Sequence, residues 1–171
     1  MRALPLLLAL TLAIPGCQTR KVPVLLTDEE SPRLASTIDM GDPNLAPQLT
    51  GFHKIENGAW RWTQRRFAVS LGPPLGAASK GADLVLKFTV PPVVIERLQS
   101  VTLGASVQGL SLPPETYQKP GDYVYQRPVP ANLLAGQTVR VEFQLDQAIP
   151  PGAADRRELG LIVLSVGLET K

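Results

Sequence analysis

One cysteine, one histidine and few charges leave this chain short of common catalytic equipment. Cys17 is the only cysteine in 171 residues, so no intrachain disulfide can form. His53 is the only histidine, so zinc or another soft metal has no ligand set. A calcium site made of oxygens stays open, with no loop motif behind it. Charged residues make up 19% of the chain and the formal net charge is +2. That is too little for an electrostatic footprint on nucleic acid, and no dense Lys/Arg cluster compensates. No G-x-S-x-G nucleophile motif occurs. No spacing singles out two carboxylates for glycoside hydrolysis. The chain therefore reads as non-enzymatic and without a cofactor. What it has in quantity is proline and glycine, 17 and 14 residues, set between apolar runs. So placed, they punctuate short strands.

The amino terminus reads as an export signal. Met1-Arg2 is a short positive start, and Leu4 to Ile14 is an apolar run of signal-core length, too short to span a bilayer. Ile14-Pro15-Gly16-Cys17 follows and resembles the lipobox of bacterial lipoproteins, with Pro15 where Ala or Ser is usual. The resemblance implies a signal peptide over residues 1–16 and a diacylglycerol, with palmitate-type acyl chains, on Cys17. The alternative is an ordinary secretory signal with a chance cysteine. One acyl chain binds a membrane marginally, at about 0.8 kcal/mol per buried methylene. Three chains would hold the protein essentially permanently. Gln18, a non-aspartate after the cysteine, implies by the same resemblance the periplasmic face of the outer membrane in the cell envelope.

Residues 17–49 read as the lipidated N-terminus and a tether. They carry Pro23, Pro32, Pro43 and Pro47 and the polar patch Thr27-Asp28-Glu29-Glu30-Ser31. A flexible chain of about 30 residues spans roughly 30 Å root-mean-square. Val22 to Leu26 is apolar and offers an edge strand as the other reading of that segment.

Residues 50–171 form the body, and there the period is two. Leu84, Leu86, Phe88 and Val90 alternate with Asp83, Val85, Lys87 and Thr89. Val101, Leu103, Ala105 and Val107 do the same, and so do Val139, Val141, Phe143 and Leu145. Such strands face a core on one side and water on the other. Leu159 to Leu168 is apolar nearly throughout, which predicts a central strand covered on both faces. No window has a convincing helical period, although Ala131 to Leu134 can make one turn. About seven short strands in this length predict an all-β, two-sheet antiparallel sandwich.

The stretch Gly51 to Leu71 holds both tryptophans, the histidine and a dense group of charges. Trp60 and Trp62 share one phase, while Phe67, Val69 and Leu71 share the other. One face of an uninterrupted strand cannot bury both sets. This predicts a tight turn or bulge at Thr63 to Arg66. Trp60 and Trp62 suit either a platform for a sugar ring or core packing. His53 and Glu56, three apart before a glycine turn, can hydrogen-bond a ligand hydroxyl. Arg61, Arg65 and Arg66 can grip an acidic group or lie on a solvated hairpin. Asp155 and Arg157 read as a structural ion pair, and Tyr123 and Tyr125 as sheet packing or a groove wall.

Two pieces of the body carry a further resemblance. One is Gly51-Phe52, Glu56, Arg61-Trp62-Thr63 and Phe67 to Leu71; the other is Asp155, Arg157 and Leu159-Gly160-Leu161. Together they resemble the carbohydrate-binding-like jelly-roll modules found beside bacterial glycosyltransferases. The resemblance implies a jelly-roll sandwich. The expectation is a membrane-anchored, non-catalytic binding lipoprotein for envelope saccharide, with His53, Glu56, Trp60, Arg61 and Trp62 as binding residues. The alternative is a structural or assembly lipoprotein that contacts an envelope protein through a sheet edge or face.

Overall fold

Nine strands and two short helices make up residues 33–170, which a computed structural model of the protein describes. The strands are β1 (Thr37–Asp39), β2 (Leu49–Glu56), β3 (Trp60–Leu71), β4 (Ala82–Val90), β5 (Val101–Val107), β6 (Leu110–Tyr117), β7 (Gly121–Val129), β8 (Val139–Leu145) and β9 (Ile162–Thr170). The helices are α1 (Ala77–Lys80) and α2 (Pro92–Leu98). All strand pairs are antiparallel. The fold is the all-β sandwich that the alternation predicted. The expected signal peptide, Cys17 and the Val22 to Leu26 segment lie outside the described residues.

Two layers share one strand. The front sheet runs β2-β3-β8-β5-β6 and the back sheet runs β3-β9-β4-β7. β3 belongs to both. Its start, Arg61 and Trp62, pairs with Val163 and Ile162 of β9, whereas Arg66 to Leu71 pair with β8. The hand-over falls at residues 63–66, where the bulge was expected, but the strand is continuous there. Thr50 pairs with Ala68 and Phe52 with Thr63, so β3 carries extra residues opposite Gly51. Extra residues on one strand bend it, and here the bend carries β3 from one sheet to the other.

The three alternating runs became β4, β5 and β8, and their apolar phase is the buried one. Phe67 stacks on Phe143 at 4.9 Å, and Phe52 meets Phe67 edge-on at 5.3 Å. At the far side the sheet edges are tied by side chains. Tyr125 donates its hydroxyl to the Pro113 carbonyl at 2.8 Å, and Arg127 pairs with Glu115 at 2.8 Å.

Four expectations need correction. The body begins before residue 50. β1 pairs with β9 at Gly167 to Ser165, filling the flank that β3 leaves vacant beyond Trp62, and it buries Ile38 and Met40. A 3-10 helix over Pro43–Gln48, capped by the Asp42 side chain, leads into β2. The second correction is helical. α2 opens on Pro92 at its first turn, where a missing N–H costs nothing, so a proline pair that reads as a breaker starts a helix. The third concerns β9, which is not covered on both faces. A register shift opposite Lys87 and Phe88 leaves Leu164 as an extra residue, and it is 40% exposed. The fourth is Arg61, taken up below.

The sandwich has two ends. The hairpin turn Asn57-Gly58, α2, residues 118–120 and residues 146–161 close one. The loop into α1, the β5–β6 turn and residues 130–138 close the other. The described chain enters at this second end, where Gly72 donates its N–H to the Ala35 carbonyl at 2.9 Å and Leu168 donates to Ser36 at 2.8 Å.

Candidate functional site

The residues picked out around the β2–β3 hairpin separate in the structure. Trp60 and Trp62 are outward on β3 and half-buried. Trp60 lies opposite Glu56, and Trp62 lies opposite Ile162 while packing partly against the core. Arg61 points the other way. It is 8% exposed, and its guanidinium donates to three backbone carbonyls: Met40 at 3.1 Å, Asp42 at 3.0 Å and His53 at 3.4 Å. Among the described residues no carboxylate pairs with it. A guanidinium can satisfy several acceptors at once, and this one pins residues 40–42 to the hairpin. The expectation that Arg61 binds ligand is therefore replaced by a structural clamp.

His53 and Glu56 are engaged by the long connection before β9. His53 Nε2 lies 2.7 Å from the Glu158 carbonyl oxygen, an acceptor only, so Nε2 carries a proton and donates it. Glu56 accepts from Arg157 at 2.6 Å. Arg157 also holds Asp155 through its Nη2 at 2.9 Å and its backbone N–H at 2.9 Å. The sequence expectation of an Asp155–Arg157 ion pair holds, and the pair extends to the hairpin.

Those donors pull the Asp155 carboxyl down to about 2, chiefly through the Arg157 side-chain hydrogen bonds and then its backbone N–H. The folded value lies below the ordinary one. Whatever the pair adds to stability is therefore complete above about pH 4 and lost as pH falls through about 2. Titration of the Asp155 carboxyl by NMR should give an apparent pKa near about 2 in the wild type. In Arg157→Ala, which keeps the backbone N–H, it should rise only part of the way toward the ordinary value of about 4.

A second location has the shape of a site. The outer face of the front sheet holds an open cleft of about 820 Å³. Strand register makes its floor. One row runs Arg66, Gln144, Gly104 across β3, β8 and β5; the next runs Thr50, Ala68, Glu142, Ser106, Ser111 from β2 to β6. Glycine, alanine and serine keep the floor low on β3 and β5, beside longer side chains on β8. Glu142 is paired with Arg140 at 3.0 Å, and Asp146 accepts from the Thr102 N–H at 2.8 Å. Arg65 is spent on the Leu145 carbonyl at 3.1 Å and neighbouring acceptors. Arg66 has no partner among the described residues, and Gln144 beside it is exposed. The cleft thus offers a guanidinium without a partner among the described residues, an amide and several hydroxyls, over a shallow floor that also carries apolar Ala68, Leu112 and Pro114.

Sequence reasoning did not find this cleft. Arg66 was among the three arginines considered, and Gly104 inside a strand is a recognised sign of close backbone approach. The rest became visible only when register set five strands side by side.

No family model matches the chain, and no curated protein matches it. Solved structures show distant likeness. The carbohydrate-binding module TmCBM27, described for specific mannan recognition, is 13% identical, with a TM-score of 0.49 over 81% of this chain and 97% of that one. The CBM36-1 domain of a multidomain xylanase from the hindgut metagenome of Trinervitermes trinervoides is 10% identical, with a TM-score of 0.39 over 77% and 94%. A CBM4 structure is 10% identical, with a TM-score of 0.34 over 78% and 85%. At these values none of the three bears on what this chain binds. The sandwich rests on its own strand pairing.

Proposed function

We propose that this protein is a lipid-anchored, non-catalytic binding module of the bacterial cell envelope, and that its ligand is a saccharide chain. The carrying observation is the front-sheet cleft. Its volume of about 820 Å³ falls in the range of ligand sites. Its lining mixes hydrogen-bonding groups, among them Arg66, Gln144, Ser106 and Ser111, with apolar surface from Ala68, Leu112 and Pro114, a combination that suits the hydroxyls and the C–H faces of a sugar. Cys17 supplies the anchor and the sandwich supplies a rigid face. Trp60 and Trp62 offer a second place for a sugar ring, on the hairpin rather than in the cleft.

Retention of the full-length chain, in detergent, on a panel of immobilised polysaccharides tests the reading. The double change Arg66→Ala with Gln144→Ala should weaken binding by about tenfold or more, the value of one or two lost hydrogen bonds to a charged or amide donor. Trp60→Ala and Trp62→Ala report on the hairpin alternative. A wild-type chain that no polysaccharide retains would sink the proposal.

A protein-contacting role is the second reading. Leu164 and Val124, 40% and 54% exposed on the outer face of the back sheet, favour it. The edges β6 and β7 do not, whereas the edge β2 is free of proline. β6 carries Pro113 and Pro114 and β7 carries Pro128, and proline blunts strand addition.

A further inference from the structure

The two ends of the sandwich differ in chemistry, and the tether enters at only one of them. The loops of the entry end carry little charge, while Arg33, Asp83 and Glu169 lie at the strand ends beside them. These loops are Gly72 to Gly81, with Lys80 as the single charged residue, the turn Gln108-Gly109, and 130–138, with none. The opposite end carries Asp146, Asp155, Arg156, Arg157 and Glu158 in one connection, with Glu96, Arg97 and Lys119 in others. The entry end also presents apolar side chains to solvent. Leu75 is 87% exposed at the tip of Pro73-Pro74-Leu75, and Leu110 is 45% exposed at the turn into β6. Leu75 stands three residues from Gly72, which is hydrogen-bonded to Ala35. Only fifteen residues separate Arg33 from Cys17. Their contour is at most about 50 Å.

We infer that the entry end is a membrane-contacting surface, with Leu75 seated at the boundary between lipid headgroups and acyl chains and Lys80 facing lipid phosphate. This rests on the anchoring of Cys17 proposed above. An uncharged loop tip with an exposed leucine and a neighbouring lysine matches the interfacial pattern of apolar insertion beside a basic group. The charged end, with Trp60 and the Arg157 cluster, then faces away from the bilayer. The front-sheet cleft stands roughly upright between the two ends, open to the side.

The full lipidated chain in vesicles of phosphatidylethanolamine and phosphatidylglycerol tests this. With Cys17 acylated, Leu75→Cys carries the only free thiol, and an exposed position tolerates the change. An environment-sensitive fluorophore there should shift to the blue. Nitroxide-bearing lipid should quench it by about threefold or more over the same fluorophore at Gln118→Cys on the charged end. Equal, water-like signals at both positions in a chain that floats with the vesicles would overturn the contact and leave the anchor standing. A label at 75 shielded from aqueous iodide but untouched by lipid quenchers would mean a protein covers this end, and would overturn it as well. A chain that fails to float removes the anchor and this inference together.

Discussion

Gly51→Ala is expected to cost about 3 kcal/mol or more, a large part of the 5–15 kcal/mol that holds a typical domain together. Two effects combine. Gly51 sits at φ +73°, where an L side chain is strained by about 1–2 kcal/mol. A Cβ there would also lie 2.0 Å from the Arg66 carbonyl oxygen and 2.9 Å from the Phe67 Cα. Both are backbone atoms of β3 at its crossing point, so no side chain can swing aside. Gly58→Ala is the control. Gly58 has φ +67° with nothing within 4 Å of the added atom, so only the conformational cost of about 1 kcal/mol remains. Urea denaturation of both variants measures the difference. Equal losses would show that β2 and β3 can separate at the crossing without penalty.

Arg61→Ala should be of similar size, about 3 kcal/mol, for a different reason. Three carbonyls, of Met40, Asp42 and His53, lose their donor in a place where Arg61 itself is 8% exposed. Each orphaned acceptor costs on the order of 1 kcal/mol, and the lost packing adds to that. Arg61→Lys keeps the charge but not the fork, and one ammonium cannot span three carbonyls. It should recover less than half of the loss. Hydrogen exchange gives the local signature: β1 amides should open first, because the clamp holds residues 40–42 in place. A variant of full stability with unchanged exchange in β1 would refute the clamp.

These two sites show what the sequence made legible and what it hid. β4, β5 and β8 could be read directly, since each has one face on the core and one on water. The phase of β3 was also readable: Trp60 and Trp62 do oppose Phe67, Val69 and Leu71. The occupants of the shared buried face were not readable. Arg61 and Thr63 continue the odd-numbered face inward, and a charged residue at such a position reads as solvated until its carbonyl partners are known. β1 was hidden because three residues, Thr37–Asp39, carry no pattern and their partner lies over a hundred positions away. The cleft was hidden because its residues are ordinary singly. Ala68, Gly104 and Ser106 make a hollow only when Glu142 and Gln144 fall between them in register.

The passage of β3 from one layer to the other has a thermodynamic consequence. Neither sheet owns all its strands, so pulling the front layer apart strips the back one of a partner for β9. The two halves cannot melt in sequence. A denaturation profile followed by tryptophan emission, which samples the back layer, and by far-ultraviolet ellipticity, which averages both, should trace a single superimposable step.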